Sequence, residues 1–222
     1  MRYQLILSPN TEPVPFNHLH QLTGTLHKWL GENTIHNELS LYSFGWLYGG
    51  ERQKGALDFP KGASWAISFF DDDLSKKLLK GILEDASVAF GMSVLEVKEV
   101  APPRFGSQHL FYTDGSAVLV RRKRDDNTKE YLFSDSLAAN EILTLLLRKK
   151  LAQAGFTGKD LNVQVAFDRA YQHPRIRKVT IKEAEHKGSE CPVIVEGTPE
   201  AIHFAWLVGI GDLTGSGFGA LR

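Results

Sequence analysis

Four of the eight histidines fall early in the chain, as His18, His20, His27 and His36. Imidazole has a pKa of about 6.5, so it can take or give a proton at neutral pH. His20 and His27 lie seven residues apart and share one stripe of a helix, whereas His18 projects elsewhere. Zinc ligation from a single helix favours partners three or four residues apart, so this spacing is poor for a metal. His36 sits in the polar stretch "GENTIHNELS", past Gly31. A lone loop histidine of this kind is either solvated or catalytic, and its position alone leaves both readings open. Metal-free general acid–base chemistry needs one group to take a proton and another to give one. Two imidazoles converging from a helix and the loop after it would supply both.

The elements that must position these groups can be read from periodicity. "RYQLILS" has strand character and stops at Ser8-Pro9-Asn10. Phe16, Leu19, Leu22, Leu26, Trp29 and Leu30 then recur at three- and four-residue steps, which predicts an amphipathic helix ending at Gly31. Aromatic-rich strands follow over 39–50 and 63–70. Asp73 is the expected N-cap of a helix with Leu74, Leu78, Ile82 and Ala86 on one face, and 93–100 alternates as a half-buried strand. The order over the first hundred residues is β-α-β-β-α-β.

The two prolines of "APPRFG" mark a boundary near residue 102. Beyond it the scheme nearly repeats, with insertions. The stretch 116–133 predicts a hairpin with Asp125-Asp126-Asn127 at its tip. A helix capped by Ser136 should end at Gly155, and three strands follow. A short apolar helix opens with Pro199, and the glycine-rich segment leads into a last strand. The expected class is α+β, with two tandem ferredoxin-like (RRM-like, βαββαβ) domains at 1–101 and 102–222.

Composition narrows the function classes. The 222 residues are 42% apolar and formally neutral, so a core is available and any basic surface must be local. The single cysteine, Cys191, excludes an intramolecular disulfide and a cysteine-based zinc site. No apolar run approaches the roughly eighteen residues of a membrane span, and the N-terminus is too polar for a signal sequence. A cytoplasmic setting without membrane contact is the expectation, with neither cofactor nor metal.

The chain closes on "GIGDLTGSGFGALR". A dinucleotide fingerprint needs G-x-G-x-x-G opening a helix, but Gly209, Gly211 and Gly215 follow one at the wrong spacing. A Walker loop needs a lysine that this segment lacks. What remains is a helix cap with permissive turns, or a side-chain-free loop that brings backbone N–H groups to a polyanion.

The whole stretch from Cys191 to Arg222 resembles the CRISPR repeat-processing endoribonuclease family. That family carries a strand, a short helix and a glycine-rich segment ending in Gly-Phe-Gly, here Gly217-Phe218-Gly219. "FNHLHQLTGTLHKWL", "SLYSFGWLYGG" and "AVLVRRKRDD" are similar to its first helix, its aromatic strand and its basic hairpin. The resemblance spans nearly the full length and is weakest over 51–100. It implies the paired ferredoxin-like fold and metal-independent cleavage within CRISPR repeat RNA. It also implies catalytic roles for His36, just after the first helix, and His27, late in that helix. Some members place a lysine where this chain has Ser40, which leaves Lys28, Arg52 and Lys54 as candidates for stabilising charge on the phosphate.

The other expected RNA contacts are Arg121 and Arg122 of "RRKR", and Arg175 and Arg177 on one strand face with Lys178 on the other. Gly211, Gly215 and Gly217 complete the set. The expected partner is a hairpin or otherwise structured repeat RNA, with CRISPR effector subunits or a second copy as further partners. The alternative is a non-catalytic repeat-RNA-binding subunit. A metabolite-binding tandem ferredoxin-like protein is a more distant rival, with no use for the basic hairpin.

Overall fold

The computed structural model describes residues 1–32 and 39–222. Its first half is built from β1 (Arg2–Leu7), α1 (Leu19–Leu30), β2 (Tyr42–Phe44), the hairpin β3 (Glu51–Gln53) and β4 (Ala56–Asp58), β5 (Ala63–Phe69), α2 (Asp72–Glu84) and β6 (Val94–Glu99). The antiparallel sheet runs β2-β5-β1-β6. Alternation along β1 decides its faces. Tyr3, Leu5 and Leu7 are buried with Leu22, Leu26 and Trp29 of α1 and Leu78 and Ile82 of α2. Gln4 points the other way, toward the second half.

Several boundaries differ from expectation for local reasons. Asp71 rather than Asp73 caps α2, its carboxylate accepting from the Asp73 amide at 2.8 Å. The helix stops at Glu84, so Ala86 lies beyond it, and Phe90 turns to a φ of +64°. Phe16 precedes α1 and is exposed rather than on its buried stripe. The hairpin β3–β4 turns at Lys54-Gly55, both at positive φ, as a tight two-residue hairpin turn requires.

The second half contains β7 (Gln108–Phe111), the hairpin β8 (Arg121–Lys123) and β9 (Lys129–Tyr131), α3 (Leu137–Gln153) and β10 (Gln164–Phe167). The hairpin β11 (Arg175–Ile181) and β12 (Ala184–Glu190), β13 (Val193–Glu196) and α4 (Pro199–Val208) follow. Strands run β10-β13-β7. The expected last strand is a single bridge between Thr113 and Leu221, flanked by the reciprocal amide bonds of Tyr112 and Arg222. Those bonds set the C-terminus beside β7, so the order of the first half recurs. The fold is α+β with tandem ferredoxin-like units, and the two hairpins are insertions in the second.

Packing does not respect the midpoint of the sequence. Leu119, Val179 and Phe218 are buried in the core of the first half. Leu41, Phe70 and Val100 pack against the core of the second.

Candidate nucleic-acid interface and active site

The glycine segment begins where α4 ends, at Gly209. It then lies along β2 rather than facing solvent. Gly211, Gly215 and Gly217 are all buried. A Cβ on Gly215 would stand 2.6 Å from both the Ser40 Oγ and the Tyr42 hydroxyl. One on Gly217 would stand 2.8 Å from the Phe44 ring and 3.0 Å from Leu19. Side-chain-free positions are therefore needed for close packing on β2 and α1, a reason unrelated to RNA. Gly211, expected as an RNA contact with Gly215 and Gly217, packs instead on the Leu119 carbonyl, 2.5 Å from where its Cβ would stand.

Polar bonds fasten the same contact. Trp46 Nε1 donates to the Gly217 carbonyl at 2.7 Å, and Ser43 Oγ donates to the Leu207 carbonyl at 2.8 Å. Thr214 Oγ1 donates to the Tyr42 carbonyl at 3.0 Å. Burial pushes the Tyr42 phenol up to about 12, and its hydrogen bond with Ser40 works against that shift. Ser40, where a lysine was the alternative, thus meets Gly215 and Tyr42.

His27 is half-buried in the last turn of α1, immediately before the Gly31 cap. His36 lies outside the described residues, in the segment 33–38 that joins that cap to Leu39 and Ser40. The chain thus runs from the end of α1 to the strand on which the glycine segment packs. His20 is exposed on α1. His18 is buried, with Nδ1 3.0 Å from the Pro15 carbonyl and its ring edge-on to Trp46, and burial lowers its pKa.

The expected phosphate contacts are mostly paired within the protein. Lys28 donates to Asp85 at 2.8 Å and to the Ser87 carbonyl at 2.7 Å, which turns it toward the end of α2. That bond holds the Asp85 carboxyl well below the usual carboxylate range. Arg122 pairs with Glu130 at 2.7 Å, Arg177 with Glu190 at 2.6 Å, and Lys178 with Glu185. Arg121 holds Asp212 of the glycine segment at 3.3 Å. Arg175 is exposed and forms no ion pair among the described residues. The pairs of Arg122, Arg177 and Lys178 are exposed enough to exchange a carboxylate for a phosphate at small cost, whereas that of Arg121 is more enclosed.

Arg52 and Lys54 lie on the β3–β4 hairpin, where the Arg52 guanidinium stands 5.0 Å from the centre of the Phe16 ring. Phe16 precedes α1 and His27 is in its last turn, so roughly 12 Å of helix separates the two sites. A cleft of about 410 Å³ between the halves is lined by Arg2, Trp46, Tyr48, Asp114 and Trp206 among others. Arg2 pairs there with Asp114 at 2.8 Å and donates to the Leu221 carbonyl.

Sequence reading missed Lys150. It lies on α3, buried, and its Nζ donates to the Val208 carbonyl at 3.1 Å and to Thr214 Oγ1 at 2.9 Å. The signal was its spacing from Leu143 and Leu147, seven and three residues, which puts a lysine on the apolar stripe.

Comparison with known families settles the lineage. A family described as CRISPR associated protein Cas6, C-terminal, matches residues 98–222, more than half of the chain. The chain belongs to the Cas6 family. Solved structures agree on the fold of this Cas6 chain. One, described as a Cas6-related gene from Pyrococcus furiosus, superposes with a TM-score of 0.88 at 18% identity, over 100% of this chain and 97% of the other. An RAMP protein described as binding different RNA substrates gives 0.86 at 20% identity, over 100% and 98%. A Cas6 product complex gives 0.70 at 16% identity, over 100% and 99%. Comparison with curated proteins found no match. Among the described residues of this Cas6 chain, no helix is long and apolar enough to cross a membrane.

Proposed function

We propose that this chain is a metal-independent endoribonuclease that cuts CRISPR precursor RNA within the repeat, in the cytoplasm. The observation that carries this reading is the Cas6 match over 98–222 together with the chain path at the end of α1. That path takes His27, then the His36 segment, to the strand that the glycine segment covers.

One histidine, assigned here as His27, removes the 2′-OH proton. The 2′-oxygen then attacks the adjacent phosphorus, and the bond to the 5′-oxygen breaks. The other, His36, protonates that leaving oxygen, and the two roles are exchangeable between them. The products are a 2′,3′-cyclic phosphate and a 5′-OH. Arg121, Arg122, Arg177 and Lys178 hold repeat phosphates by trading their carboxylate partners for RNA, and Arg175 holds one directly. The division into units at 1–101 and 102–222 belongs to the same proposal.

A second reading is a repeat-RNA-binding subunit without activity. Ser40 favours it, because a hydroxyl bonded to Tyr42 offers the phosphate no positive charge. Incubation of labelled repeat RNA with the chain in EDTA separates the two. The enzyme gives a single cut that His36→Ala abolishes without loss of binding, and the binding subunit gives a stable complex with intact RNA.

A further inference from the structure

α3 carries one cation into the interior, and what surrounds it is the glycine segment. Lys150 is 3% exposed. Its Nζ reaches the Val208 carbonyl at 3.1 Å, the Gly209 carbonyl at 3.5 Å and Thr214 Oγ1 at 2.9 Å. Three acceptors stand around the head group, which donates to them with the two N–H bonds of the amine or the three of the ammonium. Two of them are carbonyls at the C-terminal end of α4, where the helix leaves carbonyls without intrahelical donors. The third is the hydroxyl that donates onward to the Tyr42 carbonyl of β2 at 3.0 Å. A continuous chain of bonds therefore runs from α3 through Thr214 to the strand that follows the His36 segment. Gln153, one turn further along α3, donates to the Leu39 carbonyl at 3.4 Å, at the edge of that same segment.

We propose that Lys150 is a positioning residue for RNA cleavage, locking the end of α4 and the glycine segment onto β2, the strand that follows His36 in the chain. This rests on the endonuclease reading above. Lys150 touches no substrate in this account, because it is enclosed by α3, α4 and the glycine segment. Asp212 is the charged group that acts on it, and Arg121 holds that carboxylate. Burial lowers the Lys150 amine to about 7, against the attraction of Asp212. Opening of the segment to water restores the ordinary amine pKa, so between roughly pH 7 and pH 10 each opening takes up a proton. Protection of the segment must therefore increase with pH.

The experiment compares the full chain with Lys150→Met and Thr214→Val. Amide hydrogen exchange over 209–219 and 39–44 is measured without RNA from pH 7 to 9, normalised to intrinsic rates. Single-turnover cleavage and affinity are measured with repeat RNA in EDTA. In the wild type, protection over 209–219 increases several-fold per pH unit; in Lys150→Met it is at least tenfold lower and flat with pH. Lys150→Met cleaves at least tenfold more slowly while its RNA affinity stays within about threefold. Thr214→Val keeps the buried amine but loses the link to Tyr42, so it slows cleavage less and exposes 39–44. It also serves if the methionine variant does not fold. Wild-type rates and exchange in both variants overturn the proposal. A wild type that binds but never cleaves overturns the endonuclease reading instead, with the exchange difference intact.

Discussion

Replacing Gly217 by alanine tests whether the glycine segment is a packing element or a surface offered to RNA. Gly217 has φ +88° and ψ 20°, in the left-handed region, where a Cβ costs about 1–2 kcal/mol. The added carbon would stand 2.8 Å from the Phe44 ring and 3.0 Å from Leu19, both fully buried. Overpacking of this kind adds about 1–3 kcal/mol. Reduced freedom of the unfolded chain returns about 0.4–1 kcal/mol. The net loss is about 2–4 kcal/mol, or roughly 5–12 °C in melting temperature for a chain of this size. Gly55 is the control, with φ +86° and nothing within 4 Å of the added carbon. Its alanine variant keeps only the backbone strain, so its melting temperature falls by no more than about 4 °C. Circular dichroism melts of both variants without RNA read the difference. Equal shifts, or a Gly217→Ala melt within 1 °C of wild type, would refute the packing account.

Further outcomes follow from the same geometry. Because the Lys150 amine is lowered to about 7 in the folded chain, the unfolded chain binds more protons between there and its ordinary value of 10.5. Stability of the wild type therefore increases by about 1 kcal/mol per pH unit from pH 7.5 to 9, and Lys150→Met lacks that slope in denaturant titrations. His36→Ala lowers single-turnover cleavage by about 10²–10⁴-fold with repeat-RNA affinity unchanged, and unimpaired cleavage removes His36 from the mechanism. Arg175→Ala weakens RNA binding and reduces the slope of log affinity against log salt by about 1, as seen by filter binding over a salt series. Arg122→Ala leaves Glu130 to Arg124, its other partner at 3.2 Å, and must alter that slope less than Arg175→Ala if the carboxylate offsets the arginine in the wild type.

The regular elements were legible because their signals are local. The alternation of β1, the helical stripe of α1 and the Pro199 start of α4 each follow from a few neighbouring residues. The repeated β-α-β-β-α-β order was enough to name the fold. What was not legible depends on partners far away in sequence. The glycines read as open backbone because nothing in "GIGDLTGSGFGALR" discloses that Tyr42, Phe44 and Leu19 occupy the space beside them. The pairing of Arg122 and Arg177 was hidden because Glu130 and Glu190 come eight and thirteen positions later, across a hairpin turn. Lys150 was overlooked for the opposite reason. Its place on an apolar stripe was visible, but its three acceptors lie 58 to 64 residues downstream. The short strand β7 and the β3–β4 hairpin lack the length that makes alternation readable.

The central claim is the chemistry proposed above, with the RNA's own 2′-OH as nucleophile and imidazoles moving the protons. The most direct measurement uses repeat RNA bearing hydrogen in place of the 2′-OH at the scissile nucleotide, beside unmodified RNA, with EDTA present throughout. The account predicts one cut in the unmodified RNA, ending in a 2′,3′-cyclic phosphate and a 5′-OH. It predicts no cut in the deoxy substrate, which still binds with similar affinity. Cleavage of the deoxy substrate, or cleavage of the unmodified RNA only after a divalent metal is restored, would contradict it.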